Sequence, residues 1–551
     1  MWLTTRNPAS RTVEIGAVTV LLLFAAALRI IGISAGAPDM AYFPADAAQN
    51  LLPIEAPIHP DEFLYVTTPL HMRAKHRLNP DFFENPTFLI NLNLLTYIVT
   101  GTGSDLVWEE IKEIGQRQIA PFSLYVIGRW YSVLGGLLAV AATYAAARVV
   151  VGRFAALSAG LLVAVALPMV QHAHYATTSS LAAGFVALCL WASFAFVRQR
   201  RWRLFVLACF AAGFAATNRY NAAAVALVPF ALGSVLIWRK QVKPLPVLLA
   251  WFGVPLAFLI GSPQILRDFS KFIADLRYIY SGYAVTGQGA MGFTPYGLLY
   301  EYRYLITVAL GIPGFLAALI GVGVLGRELR RESRLLLGLL LVYILPYSLV
   351  VLRTVRPSYS DQLQVPVIPA FAVLIGVGAA ALARIPALRR VRVLIPVLLI
   401  TMPLLFTLPV IQRFAATDTR LLMTAWITQH IPAGARIHLD GSYNVPLDRT
   451  RYSVTQNYAG DFPTLETLCQ ADYVIFSDAW FNDVERSEDL VSATDLELVR
   501  GQRALLETQF VELARIERPL TLRRDLFMHT ATYWHDPQII VYRVPAACSG
   551  G

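Results

Sequence analysis

The sequence predicts an all-α polytopic membrane protein that carries a small α/β domain at its C-terminal end. Three observations lead there. Apolar runs of roughly 18 to 25 residues recur along the first three quarters of the chain. Only 15% of its 551 residues are charged and 56% are hydrophobic, where a soluble domain carries about a quarter charged residues; the mean hydropathy is +0.53. Basic residues gather in every second short loop. An open sheet facing lipid is excluded, because hydrocarbon leaves its edge N–H and C=O groups unpaired.

The apolar segments run over residues 13–33, 121–147, 154–170, 179–197, 204–217, 222–238, 245–260, 304–325, 335–352, 363–383 and 393–411, about eleven spans. The first contains Arg29 and lacks a small-residue cleavage site, so it is expected to be a membrane helix and not a cleaved leader. Arg6 and Arg11 precede it. Arg148 and Arg153, then Arg198, Arg200, Arg201 and Arg203, then Arg239, Lys240 and Lys243, then Arg327, Arg330, Arg331 and Arg334, then Arg384, Arg389, Arg390 and Arg392 fill alternate loops. Those loops and the N-terminus are therefore expected in the cytoplasm. The formal charge of +10 belongs to this topology signal, and nucleic-acid binding is not expected.

The charge pattern also decides one ambiguous segment. Residues 88–99 are apolar, but an added span there would invert every later loop, and Asn91 and Asn93 interrupt the run. The segment is expected as an outer helix in or near the interface, with residues 106–119 as a second, amphipathic one. Three regions then share the outer side: 34–120, 261–303, and the chain from about 412 onwards. In the last of these the long apolar runs stop. Residues 419–430 read as a helix, 436–440, 473–477 and 539–544 as strands, and 504–512 as part of a helix. The expected division is a membrane unit, 1–411, and an outer domain, 412–551. Cys189 and Cys209 lie in apolar segments; Cys469 and Cys548, in the outer part, are candidates for a disulfide.

Chemistry points to the first outer loop. His59-Pro60-Asp61-Glu62 sets two adjacent carboxylates and a histidine near low dielectric. Adjacent acids there repel and burial favours their neutral form, and a carboxylate held against a hydroxyl can take its proton. The bland alternatives are solvated loop acids or a helix cap at Asp61. Outer-side arginines, Arg219, Arg267, Arg303, Arg353 and Arg356, run against the charge trend. A guanidinium fork matches a phosphate, and the alternative is snorkelling towards lipid headgroups. His59, His172 and His174 sit at outer helix ends. With Asp61 and Glu62, His59 is a candidate ligand for a divalent metal such as Mg or Mn, although no cofactor is required by the pattern. Tyr278, Tyr280, Tyr283, Tyr296, Tyr300 and Tyr302 could stack on a sugar or form an interfacial belt. The run Gly287-Gln288-Gly289-Ala290-Met291-Gly292 has no strand–turn–helix frame and is no nucleotide fingerprint.

The loop-one residues, continued by Leu78-Asn79-Pro80-Asp81-Phe82-Phe83 and Pro86, resemble the first outer loop of GT-C integral-membrane glycosyltransferases, in the phospholipid-carrier-dependent branch related to protein O-mannosyltransferases. Arg129 with Gly135-Gly136, Gln171 to Thr177, Thr217-Asn218-Arg219-Tyr220-Asn221 and Pro366-Val367-Ile368-Pro369 extend the resemblance. Two departures stand out: Thr178, Ser179 and Ser180 replace a customary Asp, and Gln362-Leu363 replaces a customary Arg-Tyr. The resemblance implies transfer of a sugar, hexosyl or pentosyl, from a polyprenyl-phosphate-linked donor to an extracytoplasmic hydroxyl on a lipid, glycan or protein acceptor, with inversion, in the cell membrane. It implies Asp61 as base with Glu62 beside it, Arg219, Arg267, Arg353 and Arg356 on the donor phosphate, and His59, His172, His174, Tyr175 and Tyr283 as substrate contacts. The competing expectations are a catalytically silent assembly subunit, or a lipid or solute transporter.

Overall fold

A computed structural model describes residues 8–36, 59, 61–102, 122–285, 301–328, 331–350, 362–440, 445–457, 462–478, 493–518, 536–545 and 548. The chain begins with α1 (Pro8–Ile30), followed by α2 (Glu62–Ala74) and α3 (Phe88–Thr100). Next come α4 (Phe122–Val150), α5 (Arg153–Val165), α6 (Leu167–Gln171), α7 (Ser179–Gln199) and α8 (Trp202–Asn218). A 3-10 turn, Tyr220–Ala226, leads into α9 (Leu227–Trp238), then α10 (Pro244–Trp251), α11 (Gly253–Gly261), α12 (Gln264–Arg267) and α13 (Phe269–Val285). A π turn, Leu305–Ala309, precedes α14 (Ile312–Arg327), α15 (Arg331–Val350), α16 (Ile368–Leu382) and α17 (Leu394–Ala415).

Seven helices among the described residues are long and apolar enough to cross a membrane, or eight if the pair Glu301–Ala309 and Ile312–Arg327, bent by 104°, counts as one span. The other expected spans fall on the shorter apolar helices α5, α8 and α16. The fourth short one is α3, which was not expected as a span. Its 13 residues reach about 20 Å, short of a hydrocarbon core of about 30 Å. Its two asparagines are used within the protein: Asn91 donates to the Gly261 carbonyl at 2.9 Å and Asn93 to that of Tyr65 at 2.9 Å. The other expected outer helix, 106–119, lies outside the described residues, as does the 287–292 glycine run.

Membrane helices gain little by burying apolar area against each other, so close backbone approach matters more. At the α4–α7 crossing a Cβ on Gly135 would meet the Leu181 backbone nitrogen at 2.6 Å, and one on Gly184 the Gly135 carbonyl at 2.7 Å. The two ends of α1 are held differently. Near its start Glu14 pairs with Arg148 at 2.6 Å and Arg153 at 2.9 Å. Past its end, the carbonyls of Ile33 and Ala35 accept from Arg129. The basic α4–α5 loop and the first outer loop thus sit at opposite ends of the bundle.

Beyond α17 the chain forms α18 (Thr419–His430), β1 (Arg436–Asp440), β2 (Ser453–Gln456), α19 (Leu465–Cys469), β3 (Tyr473–Ser477), α20 (Ala493–Gln509), β4 (Val511–Ile516) and β5 (Ile539–Arg543). The sheet order is β2-β1-β3-β5-β4, with β1 parallel to β2 and β3, and β5 antiparallel to β3 and β4. Alternation along the strands gives it two apolar faces. Ile437, Leu439, Ile475 and Val541 pack with Met423 and Ile427 of α18. Val474, Phe476, Ile540 and Tyr542 pack with Val499 and Leu506 of α20. A disulfide joins Cys469 to Cys548, their Cα atoms 5.3 Å apart.

Candidate active site at the outer end of the bundle

Loop one divides into a clamp and a latch. The clamp centres on Glu62, the first residue of α2, whose side chain is fully buried. Its carboxylate accepts from Arg129 Nε at 2.7 Å and Nη2 at 3.0 Å, from the Ala176 amide at 2.8 Å and from the His59 amide at 3.3 Å. Arg129, on α4, directs its remaining nitrogen to the carbonyls of Ile33 at 2.8 Å and Ala35 at 2.7 Å. One ion pair therefore ties α2, α4, the end of α1 and the 172–178 loop together. Burial by itself raises the Glu62 pKa. The Arg129 charge and hydrogen bonds and the Ala176 amide outweigh it and hold the carboxyl below its ordinary value.

The latch is the second half of the motif. Asp81 adopts a left-handed backbone conformation, φ 59°, that asparagine, aspartate and glycine tolerate best. The turn brings the Phe83 amide to Asp275 Oδ2 at 2.8 Å, while the Phe83 carbonyl accepts from Tyr220 at 2.8 Å. Phe83 is buried with Ile265 and Phe272. Leu78 to Pro86 thus fastens loop one onto α13 and leaves its acid, Asp81, exposed.

Asp61 differs from both. It stands at the N-cap of α2, yet its side chain makes no capping hydrogen bond and is 40% exposed. His59 Nδ1 lies 4.0 Å from its carboxylate, but the same nitrogen accepts from the Asp61 backbone amide at 3.1 Å. A nitrogen that accepts has no proton to give, so the hydrogen bond, the shorter contact, argues against an ion pair here. Asp61 is consequently a carboxylate without a hydrogen-bonded partner among the described residues.

Arg219 is its counterpart. Helix α8 ends at Asn218, and the extended Arg219 carries its side chain to Ser179 Oγ at 2.7 Å and Gln362 Oε1 at 3.0 Å, both bonds from Nη1. Gln362 is positioned by the segment it heads, which Tyr347 holds through the Leu363 carbonyl at 2.6 Å and Tyr343 through that of Pro366 at 2.9 Å. Asp61 and Arg219 act on one buried group, the Tyr65 hydroxyl, which lies 3.5 Å from Thr178 Oγ1. Burial and then the Asp61 charge push its pKa up, against the Thr178 hydrogen bond and the Arg219 charge. The acid and the guanidinium therefore share one locality, with Thr178, Ser179 and Gln362 in it.

The other expected site residues are placed as follows. His172, His174 and Tyr175 are buried. His174 meets the carbonyls of Val170 and Ile31, each at 2.9 Å, and stacks on Phe414 at 4.3 Å. Tyr175 packs on His59 at 4.9 Å and His172 at 5.6 Å. Arg267 lies exposed on α12. Arg353, Arg356 and the Tyr283 side chain lie outside the described residues. Among the described residues no three His, Cys, Asp or Glu side chains are grouped to hold a metal ion, and Glu62 is committed to Arg129. Sequence reasoning missed Tyr65 and Glu301, a buried acid whose Oε2 accepts from Gln364 at 2.9 Å. An intramembrane-edge acid preceding an apolar run was the available signal for Glu301.

Residues 120–266 match the model of the family described as dolichyl-phosphate-mannose-protein mannosyltransferase. That stretch, though not the chain as a whole, is similar to the protein mannosyltransferases. The matched stretch takes in Arg129, the 171–178 loop and Arg219, and begins after loop one. No curated protein sequence matches. Among solved structures, ArnT from Cupriavidus metallidurans bound to undecaprenyl phosphate is similar at 16% identity, over 97% of this chain and 99% of that one, with a TM-score of 0.45. Archaeal oligosaccharyltransferase AglB from Archaeoglobus fulgidus, in complex with an inhibitory peptide and a dolichol-phosphate, is similar at 12% identity, over 98% of this chain and 77% of that one, with a TM-score of 0.47.

Proposed function

We propose that this chain is a GT-C glycosyltransferase that moves a sugar from a polyprenyl-phosphate-linked donor to an acceptor hydroxyl on the outer side of the cell membrane. The observation that carries the reading is an uncommitted carboxylate, Asp61, one helical turn before Tyr65, whose hydroxyl meets Thr178, while the guanidinium of Arg219 is held by neutral partners, Ser179 and Gln362. In the reaction Asp61 takes the proton of the acceptor hydroxyl. The oxygen then attacks the anomeric carbon as the bond from that carbon to the phosphate oxygen breaks, and the configuration inverts. The polyprenyl phosphate leaves as an anion against Arg219, whose Nε and Nη2 make no hydrogen bond among the described residues. A donor aimed where charge develops stabilises the transition state more than the ground state.

Arg267, Arg353 and Arg356 are proposed as further contacts to the donor phosphate, and Tyr283 as a contact to substrate. Glu62 is a positioning residue in this scheme. His59, His172, His174 and Tyr175 act from within the packed loop. The N-terminus faces the cytoplasm and the 412–551 domain the outside; the disulfide, a bond of oxidising compartments, supports that orientation. The test is purified protein in vesicles with polyprenyl-phosphate sugars as donors, and mass spectrometry of lipid, glycan and peptide acceptors. Glycosylated product that disappears in Asp61→Asn is the expected result. Solute or lipid flux without product would favour transport, and neither product nor flux an assembly role.

A further inference from the structure

We infer that Arg29, in the first membrane helix, is a positioning residue for this site; the inference rests on the transferase reading above. The starting point is a break in the third membrane segment. Pro168 has no N–H to give the carbonyl four residues back, that of Ala164, and its ring crowds that carbonyl. The helix accordingly stops at Val165, with Ala166 at ψ 123°, and resumes as α6. The break frees the carbonyls of Val163, Ala164 and Val165, which cannot be left unpaired inside a membrane protein. Other helices supply the donors. Arg29 Nη2 reaches Val163 at 3.0 Å and Nη1 reaches Ala164 at 2.9 Å, while Thr407 of α17 reaches Val165 at 2.7 Å.

Arg29 is fully buried, and among the described residues no carboxylate pairs with it. Its charge instead faces the C-terminal end of α5, where the helix dipole favours a cation. Nη1 also bonds the Ala25 carbonyl of its own helix at 2.9 Å, which fixes the side chain against α1. The second glycine of Gly135-Gly136 makes room for it: a Cβ on Gly136 would stand 2.7 Å from Arg29 Nε and 3.2 Å from its Cδ.

The capped break sets the direction of the chain beyond it. The next residues are α6 and the 172–178 loop, which offers the Ala176 amide to Glu62 and Thr178 to Tyr65. The same loop is stitched to the end of α1 through His174 and Ile31, and to α4 through Ser132 and Thr177, at 2.9 Å each. Arg29 therefore acts on Asp61 at two removes, by fixing the loop that fixes Glu62, and touches no substrate itself.

A double-mutant cycle on purified, monodisperse full-length protein tests this. Gly136→Ala pushes on Arg29, so it should lower kcat about tenfold, a fraction of what a 1 Å misplacement costs, with donor KM changed less than about twofold. It should also speed amide exchange over residues 173–178. In an Arg29→Met background, where the obstructing guanidinium is gone, adding Gly136→Ala should have little further effect. Arg29→Lys should restore part of kcat relative to Arg29→Met, because an ammonium still reaches one carbonyl, and it serves as the probe if Arg29→Met does not fold. Strictly additive effects in the cycle, or exchange at 173–178 unchanged by the Arg29 variants, would overturn the inference. Exchange is read without substrate. A wild type that shows no transfer would thus sink the transferase reading, while the exchange arm still decides whether Arg29 holds the loop.

Discussion

Two buried arginine–carboxylate networks fasten outer segments to this bundle, and they differ in what they leave over. At the junction between α17 and the outer domain, Asp418 takes a two-point grip from Arg420 at 2.8 and 2.9 Å, and Asp536 faces Arg518 at 3.2 Å and Arg413 at 4.0 Å. Each acid there has a guanidinium. At the outer end of the bundle Arg129 grips Glu62 in the same way, but the neighbouring Asp61 has none, and Arg219 is held by a serine and an amide. A network in which every acid faces a guanidinium holds structure. A matched pair near an acid and a guanidinium that have no charged hydrogen-bond partner among the described residues is the arrangement on which the proposed transfer rests.

Substitutions can break this contrast, and the largest effect is expected at Asp61. Asp61→Asn should lower turnover by about 100-fold or more, the scale of a lost general base, with folded yield and melting temperature near wild type. Near-normal turnover would remove Asp61 as the base. Glu62→Gln should do the reverse and act first on the fold. Breaking one side of a buried pair costs about 3–5 kcal/mol, read as a lower melting temperature in detergent, and the Glu62→Gln, Arg129→Met double variant should lose less than the sum of the singles. Equal stability of Glu62→Gln and wild type would dissolve the distinction between the two acids.

Smaller effects are expected from the guanidinium and from the junction. Arg219→Lys should raise donor KM about tenfold and leave acceptor KM alone, because an ammonium cannot keep Ser179 and Gln362 while presenting a fork to phosphate. A change confined to acceptor KM would move Arg219 to the other substrate. At the junction, burial and then the Asp418 charge raise the Asp536 pKa from 3.8 to about 6. The folded state thus holds this proton more tightly than the unfolded chain, so stability rises as pH falls from about 7 to about 5, by about 1 kcal/mol. Thermal unfolding of wild type and Asp536→Asn over that range reads it; the variant should be flat. A wild type that loses stability there would mean that the ion pairs to Arg518 and Arg413 dominate.

Much of the membrane part was legible because its signals are local. Apolar run length marked the helices, and the described residues hold seven, or eight with the bent pair, that are long and apolar enough to cross a membrane. The helix 419–430 and the strands 436–440 and 473–477 were legible from periodicity, and the last strand within a residue. β2 and β4 were not, because both are edge strands with polar or charged residues and no apolar run to mark them: Ser453-Val454-Thr455-Gln456 and Val511-Glu512-Leu513-Ala514-Arg515-Ile516. Within the site, the dipeptide Asp61-Glu62 was visible as chemistry and the resemblance separated Asp61 as base from Glu62 beside it, but nothing in the sequence joined Glu62 to Arg129. The Leu78–Pro86 stretch looked like part of the active loop, and in the fold it is a fastening to α13.

The sequence alone determined that the chain is a mostly helical membrane protein with a small C-terminal sheet, since hydrophobic run length and residue alternation are properties of contiguous residues. Only the tertiary structure decided what each charge does. Arg29, Arg129 and Arg219 are chemically identical, and Asp61 and Glu62 nearly so. What separates them is the partner each meets across 40 to 143 positions of chain, such as Ser179 and Gln362 for Arg219. A buried charge takes its energy, and hence its role, from the groups within a few ångströms of it, and those neighbours exist only once the helices have packed.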